Sequence, residues 1–382
     1  MTRVDVIKKA LEGRIKWVQA ATVLGITSRH LYRLRLRYEQ FGIPGVRDKR
    51  SGRRMPMKLA REVVEEVCRL RQEHYADFSI RHFHQFAMER HGLRLSYTLL
   101  KTILQARGLA PKARGRGKYR RRRERRPMRG MLIHLDASTH TWIAGIAQRD
   151  LVVALDDADG RILYARFVEQ EGTMSTLAAL RHVVVRYGRF GELYTDRGSH
   201  FCRTSEAGGA PDELQHGQVA RVLKVLGIHH ILARSPEARG RSERAFGTIQ
   251  GRLPQELRLA KVGNYEAANQ YLDEVFVPDF NRRFTVEPAE PESAFVRLVG
   301  LDLSLQFSIQ HQRIVRGDST VTFGNLSLQL PKTRERRHYA RCPVLVHEFL
   351  DGTLGVSYQN RLIARFTAEG LLLPSATLRR VA

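Results

Sequence analysis

Cysteine is scarce in this sequence: its 382 residues include only three, Cys68, Cys202 and Cys342, which lie far apart. Their spacing fits neither a zinc site nor a disulfide framework, and this favours a reducing compartment. No apolar run is long enough to cross a bilayer, and the N-terminus lacks the pattern of a secretory signal. We therefore expect a cytoplasmic protein with no membrane partner.

Acidic residues are few relative to basic ones. The chain has 39 Asp and Glu against 65 Lys and Arg, which gives a formal net charge of +26. Such an excess favours nucleic acid as a partner. The most basic stretch is residues 112–130, with eleven Lys or Arg and one Glu. Its glycines and proline predict a flexible arm that contacts phosphates, although a solvated linker between domains is the alternative. The arm residues expected to contact DNA are Arg114, Arg116, Arg120, Arg121, Arg122 and Arg123.

The N-terminal region carries the pattern of a helix-turn-helix. Two apolar segments at helical spacing, Val4–Leu11 and Val18–Leu24, are followed by a turn and by an arginine-rich third helix capped within Ile26–Ser28. Leu31 and Leu34 are expected to face inward. The third helix is expected to contact DNA through Arg29, Tyr32, Arg33 and Arg37. The alternative is a small helical bundle with a basic, solvated face.

A second helical region follows over residues 56–111. One helix has an apolar stripe, and a later helix is capped by Ser96 and ends at Gly108. We predict a second DNA-binding domain of the helix-turn-helix type. Four histidines in this region lack a coherent metal-ligand spacing and are interpreted as surface or core residues. They are His74, His82, His84 and His91.

Three acidic residues stand out further along the chain. Asp136 and Asp196 each follow a short apolar run, so each is expected where a buried strand leaves a sheet. Glu243 precedes apolar residues at helical spacing and is expected on the first turn of an amphipathic helix. Carboxylates are the ligands that hard divalent cations such as Mg²⁺ prefer. Each residue alone has a structural explanation as a turn former or a partner of the helix dipole, but together they favour a metal site.

At these positions the chain resembles the bacterial insertion-sequence transposases with a retroviral-integrase-like, ribonuclease-H-type catalytic core. The matching motifs are Leu135–Ser138, Tyr194–Gly198, Gly240–Arg244 and Phe246–Gln250. The second and third acids lie 47 positions apart, which leaves room for an insertion that we place at residues 202–215.

The resemblance implies that Asp136, Asp196 and Glu243 are the catalytic, metal-binding Asp-Asp-Glu (DDE) triad. It further implies two Mg²⁺ (or Mn²⁺) ions per active site, a use to which paired carboxylates are suited in phosphoryl transfer. Arg239 and Arg241, just before the third acid, are further candidates for DNA contact.

A second acidic group, Asp156, Asp157 and Asp159, precedes Gly160 between two apolar runs. Asp and Gly are the usual residues of a hairpin turn, so we interpret this group as a turn and not as a metal cluster. On this interpretation the substitution Asp157→Asn is expected to be nearly silent.

The pattern as a whole predicts a multidomain protein. Strands and helices around the three acids follow the order of an α/β ribonuclease-H-like core, and the period-two pattern beyond Leu303 predicts a small all-β barrel. The predicted domains are an all-α helix-turn-helix domain at 1–55, a second helical domain at 56–111, the basic arm at 112–130, an integrase-like core at 128–299 and the barrel at 300–382.

These features predict a magnesium-dependent DDE transposase, a polynucleotidyl transferase that binds the ends of its mobile element and catalyses DNA cleavage and strand transfer. Its partners would be the double-stranded DNA of the element ends and of the target, bound by a homo-oligomer in the bacterial cytoplasm, in association with the nucleoid. Two alternatives stay open. One is a structure-specific nuclease on the same fold, and the other is a non-catalytic DNA-binding regulator.

Overall fold

The computed structural model describes residues 3–46, 59–111, 124–201, 217–233, 240–332 and 336–374. The chain divides into two compact units, Met1–Leu70 and Arg71–Ala382. No helix among the described residues is long and apolar enough to cross a membrane.

The first unit is built of short helices around a small apolar core. Thr27 caps the third helix, because its side chain accepts a hydrogen bond from the backbone N–H of His30. Leu31 and Leu34 are buried with Ala20 and Ala21, as the pattern predicts. A fourth short helix follows the third after Gly42. The helices are α1 (Arg3–Leu11), α2 (Trp17–Val23), α3 (Ser28–Phe41) and α4 (Ile43–Val46).

Three further helices are α5 (Arg61–Glu73), α6 (Ile80–His91) and α7 (Tyr97–Ala106). The first of them begins in the first unit and ends in the second. Ser79 and Ser96 cap α6 and α7, each by accepting a backbone N–H three residues on. Between α5 and α7, Tyr75, Phe78 and Phe86 pack edge to face, which gives this helical segment an aromatic core.

A five-stranded mixed sheet forms the centre of the second unit, in the order β3-β2-β1-β4-β5. The first three strands pair antiparallel, whereas β4 and β5 run parallel to β1. This confirms the predicted α/β core. The strands are β1 (Leu132–His140), β2 (Arg149–Asp156), β3 (Ile162–Val168), β4 (Glu192–Thr195) and β5 (His229–Leu232).

Helices cover both faces of this sheet. Successive side chains of a strand point to opposite faces, so the apolar residues of the strands form two cores, one on each face. Ile133 and Leu135 of β1 pack towards α8 (Thr173–Tyr187) and α9 (Gln218–Leu226). Leu151, Val153 and Leu155 of β2 pack in a second core with residues of the later helices. Those later elements are α10 (Gly240–Gln250), α11 (Leu253–Leu259), α12 (Tyr265–Tyr271), a π-helical segment (Leu272–Phe276) and α13 (Val277–Phe284).

The helical segment after residue 71 is joined to α11 and α13 by polar contacts. At its centre the ring nitrogen Nε2 of His82 lies 3.0 Å from Oε1 of Glu256, and both side chains are buried. The pKa of His82 is lowered, because burial outweighs the favourable effect of the nearby Glu256 carboxylate. Around this pair lie contacts between Arg252 and Gln85, between Arg258 and Asp77, and between Arg283 and Glu89.

Two asparagine side chains form hydrogen bonds with backbone groups on the outer edge of β3. Asn281 accepts a hydrogen bond from the backbone N–H of Ile162 at 2.8 Å and donates to its carbonyl at 2.9 Å. Asn269 makes the same pair of bonds with Phe167, at 2.7 and 3.2 Å. The last helix of the core, α13, ends at Phe284, and the chain then runs irregularly past the sheet.

The C-terminal region is all-β apart from one short helix, but the predicted closed barrel is not confirmed. Among the described residues its strands form an open four-stranded sheet, β11-β10-β9-β6, and a separate two-stranded ribbon, β7-β8. The first and last strands were not expected from the sequence. The elements are α14 (Leu303–Gln306), β6 (Ile309–Ile314), β7 (Thr320–Phe323), β8 (Leu326–Gln329), β9 (Pro343–Glu348), β10 (Leu354–Tyr358) and β11 (Arg361–Phe366).

The edge contact of Asn281 should contribute measurably to stability. We expect Asn281→Ala to lower the free energy of unfolding by about 1–3 kcal/mol in urea titrations, because it leaves the Ile162 N–H and C=O without that partner. Gln270→Ala removes an exposed amide that bonds only to Glu274 one turn on, and it should change stability by no more than about 0.5 kcal/mol. Equal effects of the two substitutions would contradict this assignment.

Candidate active site

The pairing of β1 with β4 brings the first two acids to neighbouring strands. Leu132, Ile133 and His134 pair with residues 192, 193 and 194, a constant offset of 60 positions. The pairing ends there, and the same offset continued by two residues leads from Asp136 to Asp196, the residue directly after β4. Adjacent strands lie about 4.8 Å apart, so the two carboxylates start from neighbouring backbone positions.

Asp136 lies within β1 and not at its end. The strand continues to His140, with Asp136 opposite Val153 of β2. The prediction that the strand stops at the first acid is therefore wrong. Asp196, in contrast, directly follows the last residue of β4 as expected. It is held there by a turn, because its Oδ1 accepts the backbone N–H of Gly198 at 2.8 Å.

Asp136 lies on the face of the sheet that α10 covers, and the alternation of side chains along β4 predicts the same face for Asp196. Two residues earlier on each strand, the rings of His134 and Tyr194 lie 5.1 Å apart, so these alternate positions share one face. Ser138, on the same side of β1 as Asp136, accepts a hydrogen bond from the side chain of Gln250 at the end of α10. Asp136 and Asp196 are each partly exposed.

Glu243 lies in the first turn of α10, as the sequence predicts. Ser242, Phe246 and Ile249 are buried on the inner side of the helix, whereas Glu243 is exposed beside them. Side-chain contacts attach α10 to the sheet at both ends. At its start Arg241 pairs with Asp157, which contacts His134 of β1. At its end Gln250 donates a hydrogen bond to Ser138 of β1. Asp136 lies between these two attachment points, so α10 passes over the first acid.

A metal ion fits the chemistry of these donors, since three carboxylates supply the hard oxygen ligands that Mg²⁺ takes. The described residues do not, however, gather three or more Asp, Glu, His or Cys side chains closely enough to hold an ion. Asp136 lies on β1, Asp196 directly follows β4, the neighbouring strand, and Glu243 lies in the first turn of α10. The triad therefore stays a prediction about residues that three separate elements carry.

The acidic group at residues 156–159 forms a turn as predicted, but its carboxylates are buried. Asp156 accepts the backbone N–H groups of Gly130 and Ala158, at 2.8 and 2.9 Å. Burial raises the pKa of Asp156 to about 6, although these N–H groups oppose the shift. Asp159 accepts the backbone N–H of Arg161 at 2.8 Å.

Asp157 has the densest set of partners. It lies 2.7 Å from Nε2 of His134 and accepts the backbone N–H of Arg126 at 2.7 Å. The guanidinium of Arg241 forms an ion pair with it. Burial alone would raise the pKa of Asp157, but the bonds from His134, Arg126 and Arg241 outweigh it and hold the pKa below its usual range. Asp157→Asn therefore cannot be the silent substitution that a surface turn predicts.

His134 and Asp157 are thus site residues that the sequence interpretation missed. The available signal was a histidine inside the otherwise apolar run Met131–Leu135, together with more aspartates than a hairpin turn requires. A buried histidine needs a polar partner, and a buried carboxylate needs several.

The predicted DNA contacts divide into three groups. Arg29, Tyr32, Arg33 and Arg37 are exposed on α3, opposite its buried leucines, as expected. The arm residues Arg114, Arg116 and Arg120–Arg123 lie outside the described residues, as do Arg239 and the predicted insertion at 202–215. The Arg241 side chain is 18% exposed and forms an ion pair with Asp157, and its contact with DNA stays a prediction.

Sequence comparisons match both parts of the chain. A family described as a helix-turn-helix domain matches residues 2–55. The chain is 29% identical to the putative transposase y4bF of Sinorhizobium fredii, over 94% of this chain and 79% of that protein. It is 27% identical to the transposase for insertion sequence IS1202 of Streptococcus pneumoniae, over 73% of this chain and 67% of that protein. The predicted helix-turn-helix and the predicted resemblance are confirmed.

Comparisons with solved structures give weaker matches. The catalytic core domain of HTLV-2 integrase in complex with magnesium matches 39% of this chain and 89% of its own, with 16% identity and a TM-score of 0.30. The simian T-cell lymphotropic virus intasome in complex with PP2A regulatory subunit B56 gamma matches 77% of this chain and 98% of its own, with 15% identity and a TM-score of 0.36. These superpositions add nothing to the fold described above.

The stability of the protein should depend on pH through His230, which contacts Thr195 at the end of β4. Its Nε2 lies 2.9 Å from the Thr195 hydroxyl, and burial lowers its pKa to about 4. A lowered histidine pKa means that the unfolded chain binds the proton first, so this contribution to stability is complete above about pH 6.5 and is lost as pH falls towards 4. In urea titrations across this window, His230→Gln should flatten the decline in unfolding free energy. His229→Gln, at the exposed neighbour, should alter it less; the reverse order would contradict the assignment.

Proposed function

We propose that this chain is a DNA transposase that binds the ends of a mobile element, cleaves the DNA there and joins it to a target. The observation that carries the proposal is the placement of Asp136, Asp196 and Glu243. Continued by two residues, the offset of the β1–β4 pairing leads from Asp136 to Asp196, and the helix that carries Glu243 is attached to β1 through Gln250. The helix-turn-helix match and the net charge of +26 support DNA as the substrate.

Asp136, Asp196 and Glu243 are the residues that would hold Mg²⁺ or Mn²⁺, two ions per site. When bound, such ions supply the Lewis acidity that an in-line displacement at phosphorus requires. The two aspartates start from a rigid sheet, one inside β1 and one in a hydrogen-bonded turn after β4. Their backbone positions are therefore set by the sheet and do not depend on the substrate.

The nucleophiles in this proposal are a water molecule for cleavage and the freed 3′-hydroxyl of the DNA for joining. No side chain forms a covalent bond with DNA, so the chain needs no nucleophilic serine or tyrosine. Its residues are required to hold the ions and to keep the phosphodiester aligned, which is how much of phosphoryl-transfer catalysis is achieved.

Recognition of the element ends is assigned to α3. Its exposed side carries three arginines and a tyrosine, and an inserted helix can read base edges in the major groove. The arm at 112–130, of which the structure describes residues 124–130, is assigned to phosphate contact. The C-terminal sheets are proposed to support DNA binding or the assembly of several copies on DNA.

A plasmid assay that scores cleavage and joining separately tests the proposed activity. The substrate carries the sequences that flank the gene, and the products are resolved on a gel in Mg²⁺. Cleavage together with joining supports the transposase. Cleavage without joining would establish a nuclease, and binding without cleavage would establish a regulator.

The triad assignment predicts the loss of both activities in three near-isosteric variants. Asp136→Asn, Asp196→Asn and Glu243→Gln should each reduce cleavage and joining by more than about 100-fold, since even residues that only orient metal ligands cost 10–100-fold. DNA binding, measured by fluorescence anisotropy, should persist. Glu169→Gln is the control, because its side chain is 89% exposed and its ion-pair partner is Arg149 at the start of β2. Wild-type activity in any triad variant would refute that residue's role.

The recognition assignment predicts a loss of discrimination from α3. Arg33→Ala and Arg37→Ala should each reduce the preference for element ends over scrambled duplex by roughly 1–3 kcal/mol, the value of a good base contact. Arg35→Ala is the matched control, because the Arg35 side chain hydrogen-bonds to Glu39 and lies over the ring of Trp17. Neutralising Arg120–Arg123 should weaken binding to both duplexes alike and flatten the salt slope by about 0.9 for each phosphate that the arm no longer neutralises. Loss of discrimination in the arm variant alone would reverse the two roles.

A further inference from the structure

The first turn of α10 is held by a buried ion pair. Arg241 lies two residues before Glu243, and its guanidinium pairs with the carboxylate of Asp157. The same guanidinium approaches the backbone oxygen of Asp157 at 3.3 Å. The first turn of a helix has backbone N–H groups without intrahelical partners, so it is the part most prone to fray unless side chains hold it. Here that turn carries the proposed third ligand.

Asp157 is itself fixed to the sheet. Its backbone N–H donates to the carbonyl of Leu132, and its carboxylate contacts His134 of β1 and the backbone N–H of Arg126. The residue is 1% exposed. Asp136 lies two positions beyond His134 on the same face of β1, so Asp157 links the strand of the first acid to the helix of the third.

We propose that Asp157 is a positioning residue that holds the Glu243 carboxylate over Asp136 and Asp196, acting through Arg241. The proposal rests on the function proposed above. Asp157 is not a further ligand, because its buried oxygens are already directed at His134, Arg126 and Arg241. Asp157 instead fixes how the first turn of α10 is rotated and how far it lies from the sheet, and this determines where the Glu243 carboxylate lies.

The test measures metal affinity without DNA, so that effects on substrate binding do not enter. Mn²⁺ is titrated into the full chain by calorimetry, and folding is checked by near-ultraviolet circular dichroism. Arg241→Gln should weaken Mn²⁺ binding by about 10–100-fold, the usual cost of removing a group that orients a ligand. Arg244→Gln is the matched control, because it removes the same charge from the exposed side of the same turn and should change affinity by less than about threefold.

Two further variants separate positioning from general damage. Asp157→Asn should weaken Mn²⁺ binding as Arg241→Gln does. In a Glu243→Gln background, neither substitution should weaken binding further, because the ligand they position is absent. Should Arg241→Gln fail to fold, Arg241→Lys replaces it, since it keeps the charge and loses the planar donor fork, and reduced affinity is again the expected result.

The outcomes distinguish this inference from the proposed function. Wild-type affinity in Arg241→Gln, or in Arg241→Lys where that variant is needed, overturns the positioning role. A further loss in the Glu243→Gln background overturns it as well, because Asp157 would then act elsewhere. If Glu243→Gln alone binds Mn²⁺ and cleaves DNA like the wild type, the triad itself is refuted.

Discussion

The need to satisfy three buried aspartates in one turn constrains the whole catalytic region. Moving an ionised carboxylate out of water costs several kcal/mol unless partners are arranged around it. The turn at residues 156–159 meets this need with backbone N–H groups from Gly130, Ala158 and Arg161, with an imidazole on β1 and with a guanidinium on α10. Segments that are remote in sequence are thereby fixed relative to one another. The basic segment ending at Gly130, the central sheet and the helix of Glu243 all meet at this turn.

The parts that could be predicted from the sequence are those determined by local pattern. The bounds of α8 and α9 agree with their apolar spacing and flanking glycines, and Glu243 lies in the first turn of a helix as expected. The second and third acids lie where their flanking residues indicate. The predictions failed where tertiary context decides. An Asp-rich turn has the same sequence whether it is buried or exposed, and period-two strands do not show whether a sheet closes.

Arg241 shows the same limitation in a single residue. An arginine in a basic chain, next to a proposed catalytic residue, is reasonably expected to bind DNA. Its partner in the structure is 84 positions away, in a turn whose own burial was not foreseen. The helical segment after residue 71 gives a similar lesson, because its contacts with α11 and α13 join residues more than 160 positions apart. Its capped helices predict a second DNA-binding domain, and these polar contacts tie the segment to the α/β core.

The two asparagines that bond to the outer edge of β3 limit how the central sheet can pair with another molecule. A free sheet edge presents a row of backbone donors and acceptors, and a strand from another molecule can pair with it. Asn269 and Asn281 already occupy such groups near both ends of β3, and the helices that bear them cover that side of the sheet. The central sheet therefore cannot grow through this strand into a continuous sheet shared by two molecules. Contact between two copies would have to use another sheet edge or a side-chain surface.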